Sequence, residues 1–135
     1  LLISSVIYLK KGEGRDFLIV NAAMNDLIRP ALYEAHHEII PVMETGESSS
    51  SLYDVVGPVC ETGDTFAVQR EIVDMKKDDL LAFKSAGAYA AVMASEYNSR
   101  PLVPEVLVKG DKFKLIRARP TIQQIIDRDQ VPDWL

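Results

Sequence analysis

One short stretch, Val59-Cys60-Glu61-Thr62-Gly63-Asp64, sets the only cysteine of the 135-residue chain beside a carboxylate and directly before a turn. A lone cysteine is most often a small buried apolar residue. This one follows an apolar run, residues 52–58, and the Gly63-Asp64 turn beyond it argues for exposure, where a thiol acts as acid or nucleophile. Hydrolase-type nucleophilic chemistry would also want a histidine, and only His36 and His37 exist. Those two are flanked by Glu34 and Glu38, but neighbours on a strand point to opposite faces and make a poor pair of metal ligands. Arg29 and Tyr33, four apart, share one side of a helical turn. Arg29 reads either as half of a structural ion pair or as a bidentate clamp on a carboxylate, with Tyr33 adding a hydroxyl. Glu61 is either a surface acid or a counter-charge for an ammonium group. Tyr89, between Gly87 and alanines, is either core or an aromatic exposed by small neighbours.

These residues need elements to hold them. Residues 2–10 and 16–21 read as strands around a Gly12/Gly14 turn, a hairpin. Residues 22–34 predict an irregular segment with a turn or two of helix, capped by Asn25 or Asp26 and limited by Pro30. A strand is expected over 36–43, ending near Pro41, then an exposed, mobile loop over 44–51. Residues 52–59 read as a strand interrupted at Gly57-Pro58, and 65–73 as another. Residues 76–79 form a charged turn before the apolar stretch that opens at 80–83. Composition leaves 87–94 open between strand and helix, and 96–101 reads as polar loop. Residues 103–109 and 112–118 alternate around Gly110-Asp111, a second hairpin. Ile122, Ile125 and Ile126 predict a short terminal helix after Pro120-Thr121. About seven strands with little helix argue for one mainly β domain, a barrel or sandwich spanning residues 1–135.

Composition excludes several functions. Hydrophobic residues make up 47%, enough for a core, and the net charge of −5 comes without a basic block, which argues against nucleic acid. No apolar run approaches a membrane span, and residues 1–6 lack a signal-peptide pattern. A single cysteine suits a reducing cytosol, so a cytoplasmic location is expected. The start, without Met and already strand-like, suggests a piece of a longer chain. A glycine-rich nucleotide motif, a carboxylate pair at glycosidase-like spacing and a cysteine pair for zinc are all missing.

Three stretches taken together resemble diaminopimelate decarboxylase. They are Asn21-Ala22-Ala23-Met24-Asn25-Asp26-Leu27-Ile28-Arg29-Pro30-Ala31-Leu32-Tyr33, then Val56-Gly57-Pro58-Val59-Cys60-Glu61-Thr62-Gly63-Asp64, then Gly87-Ala88-Tyr89 with Tyr97-Asn98-Ser99-Arg100-Pro101. The resemblance implies the C-terminal β domain of a fold-type III pyridoxal-phosphate enzyme, similar to that of alanine racemase. The cofactor lysine and phosphate site would then lie in an upstream N-terminal (β/α)8 barrel outside this chain, leaving the fragment alone inactive. By the same resemblance Cys60 is the proton donor, and Glu61, Arg29 and Tyr33 bind the substrate meso-diaminopimelate. Tyr89 would touch both substrate and pyridoxal 5'-phosphate, in a homodimer with shared active sites. A thiol is mostly protonated at neutral pH yet yields its proton readily, which suits the donor role. The family usually has Asp at Asn21, Gly at Ala23 and often Gly at Ala90, so methyls at the last two demand room and ordinary backbone angles. Sister decarboxylases acting on ornithine, arginine or a carboxylated polyamine share the domain. A non-catalytic β module is the reading from another class.

Overall fold

The computed structural model describes residues 1–43 and 49–135. They form two compact units, Leu1–Ala94 and Ser95–Leu135. The expected mobile loop over 44–51 falls largely on 44–48, outside the described residues.

The first unit is a six-stranded sheet with spatial order β3-β6-β1-β2-β4-β5. Its strands are β1 (Leu2–Lys10), β2 (Asp16–Val20), β3 (Ile39–Pro41), β4 (Ser50–Val56), β5 (Thr65–Val73) and β6 (Leu80–Phe83), with helix α1 (Arg29–Tyr33) between β2 and β3. β1 serves two partners. Its first half pairs with β6 and its second half with β2, and the register shifts between Val6 and Tyr8 at the changeover. Such a bulge bends a strand and tightens its twist, as a closing sheet requires. Every pairing is antiparallel except β2 with β4, which run parallel because α1 and β3 intervene between them.

The two edge strands come together at one guanidinium. Arg70 of β5 donates to the His37 carbonyl just before β3, at 3.0 Å, so the sheet is nearly closed and its edges are partly covered. Inside, Val6, Leu18, Val20, Leu27, Val55, Leu81 and Phe83 are fully buried, and the Phe66 and Phe83 rings meet at 4.6 Å between centroids. This is the mainly β barrel-like domain expected.

Four local expectations change. Asp26 does not cap α1. Its Oδ2 accepts the Ala23 N–H at 2.9 Å, while α1 starts at Arg29 with Ile28 at its N-cap and no side-chain cap bond, and with Pro30 in its first turn. The strand expected over 36–43 shortens to Ile39–Pro41, because His37 is buried and its Nδ1–H donates to the Lys84 carbonyl at 2.9 Å. β4 begins earlier, taking in Ser50 and Ser51, and stops at Val56 before Gly57. Residues 87–93 are neither strand nor helix but successive turns, with Ala86 and Ala90 in the core and Tyr89 at a left-handed φ of 61°.

The second unit holds a 3-10 turn at Tyr97–Ser99, a hairpin of β7 (Glu105–Lys109) and β8 (Lys112–Arg117), and helix α2 (Ile122–Ile126). Gly110, at φ 59°, makes the two-residue turn between the strands. Thr121 caps α2 reciprocally: its Oγ1 accepts the Gln124 N–H at 3.1 Å, and Gln124 Oε1 accepts the Thr121 N–H at 2.9 Å. Arg128 pairs with Glu96 at 2.6 Å within the unit. No helix among the described residues is long and apolar enough to cross a membrane.

Candidate functional site

The turn from Gly57 to Asp64 joins β4 to β5 and carries Cys60 and Glu61 at its exposed tip. It is built from its own backbone. Gly57 N–H donates to the Asp64 carbonyl at 2.9 Å, Glu61 N–H to the Val59 carbonyl at 2.9 Å, and Asp64 N–H to the Glu61 carbonyl at 3.0 Å. Glu61 Oε1 also accepts the Gly63 N–H at 3.2 Å, leaving its carboxylate exposed to a further partner. A tight loop on a rigid strand pair is how a fold presents a reactive group without burying it.

The segment with Arg29 and Tyr33 lies beside this turn. A methyl built on Gly63 would stand 3.5 Å from Met24 Cε, 3.7 Å from Ala31 Cβ and 3.8 Å from Glu61 Cγ. The 40-residue gap between Met24 and Asp64 is bridged by a hydrogen bond from the Met24 N–H to Asp64 Oδ1 at 2.6 Å. Arg29 is half-buried at the start of α1 and Tyr33 is exposed at its end, where Glu34 takes a left-handed φ of 53° and stops the helix. Neither the Arg29 guanidinium nor the Tyr33 hydroxyl makes a hydrogen bond or ion pair among the described residues. The structural ion pair weighed for Arg29 is therefore not formed there.

Tyr89 sits on another turn, after β6, with its side chain exposed. A positive φ at a bulky residue is uncommon and carries strain, which clusters at functional sites. The buried Ala86 and Ala90 on either side hold that turn to the core. Ala23 and Ala90 are both buried and neither has a positive φ, so their methyls fit ordinary backbone. An open groove of about 340 Å³ runs between α1 and β5, past Ala31, Glu34, His36, Gly63, Phe66 and Arg70, and contains none of the five candidate residues. At one wall the Arg70 guanidinium lies 3.0 Å from His36 Nδ1. His36 and His37 thus occupy opposite surroundings, one exposed and one buried, as adjacent residues in extended chain do.

Two further residues of this turn, Gly57 and Asp64, carry no sign in the sequence of the contact they make. Asp64 is buried and its carboxylate binds the backbone on both sides of the site, and Gly57 leaves the space that this carboxylate fills. An aspartate four past the cysteine and a glycine three before it are visible, but nothing in their spacing says that they meet.

The nearly closed sheet thus presents a thiol and a carboxylate on one exposed turn, beside a short arginine-bearing helix. Residues 1–87 match the family described as pyridoxal-dependent decarboxylase, C-terminal sheet domain, and the chain belongs to that family. Diaminopimelate decarboxylase of Zymomonas mobilis is 52% identical over 99% of this chain and 31% of its own length. The solved structure of diaminopimelate decarboxylase from M. jannaschii in complex with L-lysine is 35% identical, with a TM-score of 0.92 over 99% of this chain and 30% of that one. The Helicobacter pylori enzyme, also solved with L-lysine, is 40% identical, with a TM-score of 0.86 over 94% of this chain and 31% of that one. The chain therefore spans about a third of the length of the relatives it matches.

Proposed function

We propose that residues 1–135 act as the C-terminal β domain of a diaminopimelate decarboxylase, which converts meso-diaminopimelate to L-lysine and CO2. The observation that carries this reading is the Cys60–Glu61 turn held against the Met24–Tyr33 segment, in a chain half identical to a decarboxylase of that specificity. The cofactor lysine and phosphate site belong to an N-terminal barrel outside these residues, and two subunits complete each site.

Pyridoxal 5'-phosphate is the group the family implies, and the donors present suit its edge: an exposed aromatic hydroxyl at Tyr89 and an exposed thiol at Cys60. When bound, that group supplies the electron sink that makes loss of CO2 feasible. Tyr89 would hold its edge together with the substrate. Cys60 Sγ carries the proton that replaces CO2 at the reacting carbon, and its place on a tight turn limits which face receives it. Arg29 takes the distal carboxylate of the substrate through a paired N–H fork, Tyr33 adds a hydroxyl to it, and Glu61 answers the distal ammonium. A substrate without that distal group leaves Arg29 or Glu61 unmatched, a penalty of about 1–3 kcal/mol per group. The work is biosynthetic and belongs in the cytoplasm.

The test is a substrate panel on the full-length enzyme. CO2 release from meso-diaminopimelate should exceed that from ornithine, arginine and lysine by about tenfold or more in kcat/KM. A preference for one of the others would replace the substrate, and release from none would remove the enzymatic reading.

A further inference from the structure

Asp64 ties together the two walls of the site. Its carboxylate is buried, 3% exposed, in a turn whose tip is open to solvent. Oδ2 accepts the Val59 N–H at 2.7 Å, directly before Cys60, and Oδ1 accepts the Met24 N–H at 2.6 Å, in the segment leading to Arg29. Its main chain belongs to the same turn, donating to the Glu61 carbonyl at 3.0 Å and accepting from the Gly57 N–H at 2.9 Å. Two backbone donors converge on one side chain from opposite directions. A carboxylate has an acceptor oxygen for each, whereas an amide would turn an NH2 group toward one of them. Gly57 makes room for it: a methyl there would lie 2.3 Å and 2.4 Å from the two carboxylate oxygens, so any side chain must expel them.

We propose that Asp64 is a positioning residue for the substrate site, its carboxylate setting the separation between the Cys60–Glu61 turn and the Arg29–Tyr33 helix while Gly57 keeps its place clear. This inference rests on the roles given above to Cys60, Glu61 and Arg29. A substrate with an amino acid group at each end is read correctly only if the charges that bind one end stand at a set distance from the acid that serves the other. Those charges lie on two loops more than thirty residues apart in sequence, and each is joined to Asp64 through a backbone N–H close to it. A shift of about 1 Å in such a frame can cost roughly a hundredfold in rate without touching a reacting group.

The experiment uses the full-length enzyme as wild type, Asp64→Asn, Gly57→Ala and the double variant. Amide hydrogen exchange is read at Met24 and Val59, kcat and KM on the best substrate of the panel, and unfolding temperature as a control for folding. Asp64→Asn should speed exchange at whichever amide its NH2 group comes to face and Gly57→Ala at both, and each should lower kcat/KM by about 10- to 100-fold per folded enzyme. Because both substitutions break one clasp, the double variant should fall within about threefold of the worse single one. Wild-type exchange at the two amides overturns the clasp. Faster exchange with kcat/KM within about twofold of wild type overturns the positioning role and leaves Asp64 purely structural. Multiplicative losses in the double variant do the same. If Asp64→Asn does not fold, Asp64→Glu, which keeps both oxygens on a longer arm, is measured in its place, and the same results support or overturn the role. A wild-type enzyme inactive on the whole panel sinks the proposed function and this role with it, and is distinguished from failure of the inference alone by where the loss falls.

Discussion

The proposed function gives the sequence neighbours Cys60 and Glu61 separate tasks, and substitution should separate the task proposed for Cys60 from that proposed for Arg29. In the full-length enzyme, Cys60→Ala should lower kcat by about 100-fold or more while KM stays within about threefold, measured as steady-state CO2 release. An unchanged kcat would take Cys60 out of proton return. Arg29→Ala would remove the charge-assisted fork proposed for the bound complex, so KM for meso-diaminopimelate should rise by roughly 10- to 100-fold. An unaltered KM would reject the clamp. Type and setting marked both residues as candidates, since a thiol at a strand end and an arginine in an apolar segment are each unusual, while the roles proposed for them came from the resemblance. Asp64 was not, because a buried aspartate and an exposed one look alike in a sequence and only its 40-residue contact with Met24 tells them apart.

Elements built from local signals came out close to expectation. β1 and β5 span the residues expected of them, the β7–β8 hairpin matches the Gly110-Asp111 turn, and α2 matches the isoleucine spacing. The departures occur where a partner distant in sequence intervenes. β4 extends into the serines because β5 offers a ladder there, Ser50 pairing with Val73. The same strand pair carries a pH response. Tyr53 is buried, and its hydroxyl donates to Asp74 Oδ1 at 3.0 Å; burial first, and then that bond, raise the tyrosine above its usual range. Hydrogen bonds from Ser51, Ser49 and Tyr53 hold Asp74 below the usual carboxylate range. A carboxyl lowered on folding stabilises the fold above its unfolded value and loses that contribution as pH falls through the lowered one. Asp74→Asn should therefore flatten the drop in unfolding temperature between about pH 6 and about pH 2, and an unchanged slope would show that Asp74 contributes nothing to it.

For the molecule as a whole, the proposed function has the chain supply groups to a site whose cofactor-holding part lies elsewhere in the full-length enzyme. The 135-residue chain alone, mixed with pyridoxal phosphate and meso-diaminopimelate, should release no CO2 and keep no cofactor absorbance after desalting. Absorbance that survives desalting and maps to one lysine of this chain would contradict that division of labour. Closure of the sheet is a property of the same scale. It depends on Arg70 reaching the His37 carbonyl from the far edge and on β2 running parallel to β4.

The sequence by itself determined most of the strands and the turns between them, and it marked Cys60, Glu61, Arg29, Tyr33 and Tyr89 as candidates. Those follow from alternation, from glycine and proline, and from chemistry carried within single residues. Family membership was legible too, since three stretches kept their order and spacing along the chain. Only the tertiary structure decided which loops stand side by side, that Tyr89 is held exposed in a left-handed backbone, and that one buried carboxylate joins Met24 to Val59. The physical reason is that side-chain periodicity reports which face of an element is buried. The separation between two loops is set instead by hydrogen bonds and packing between residues that the chain brings together only when the sheet closes.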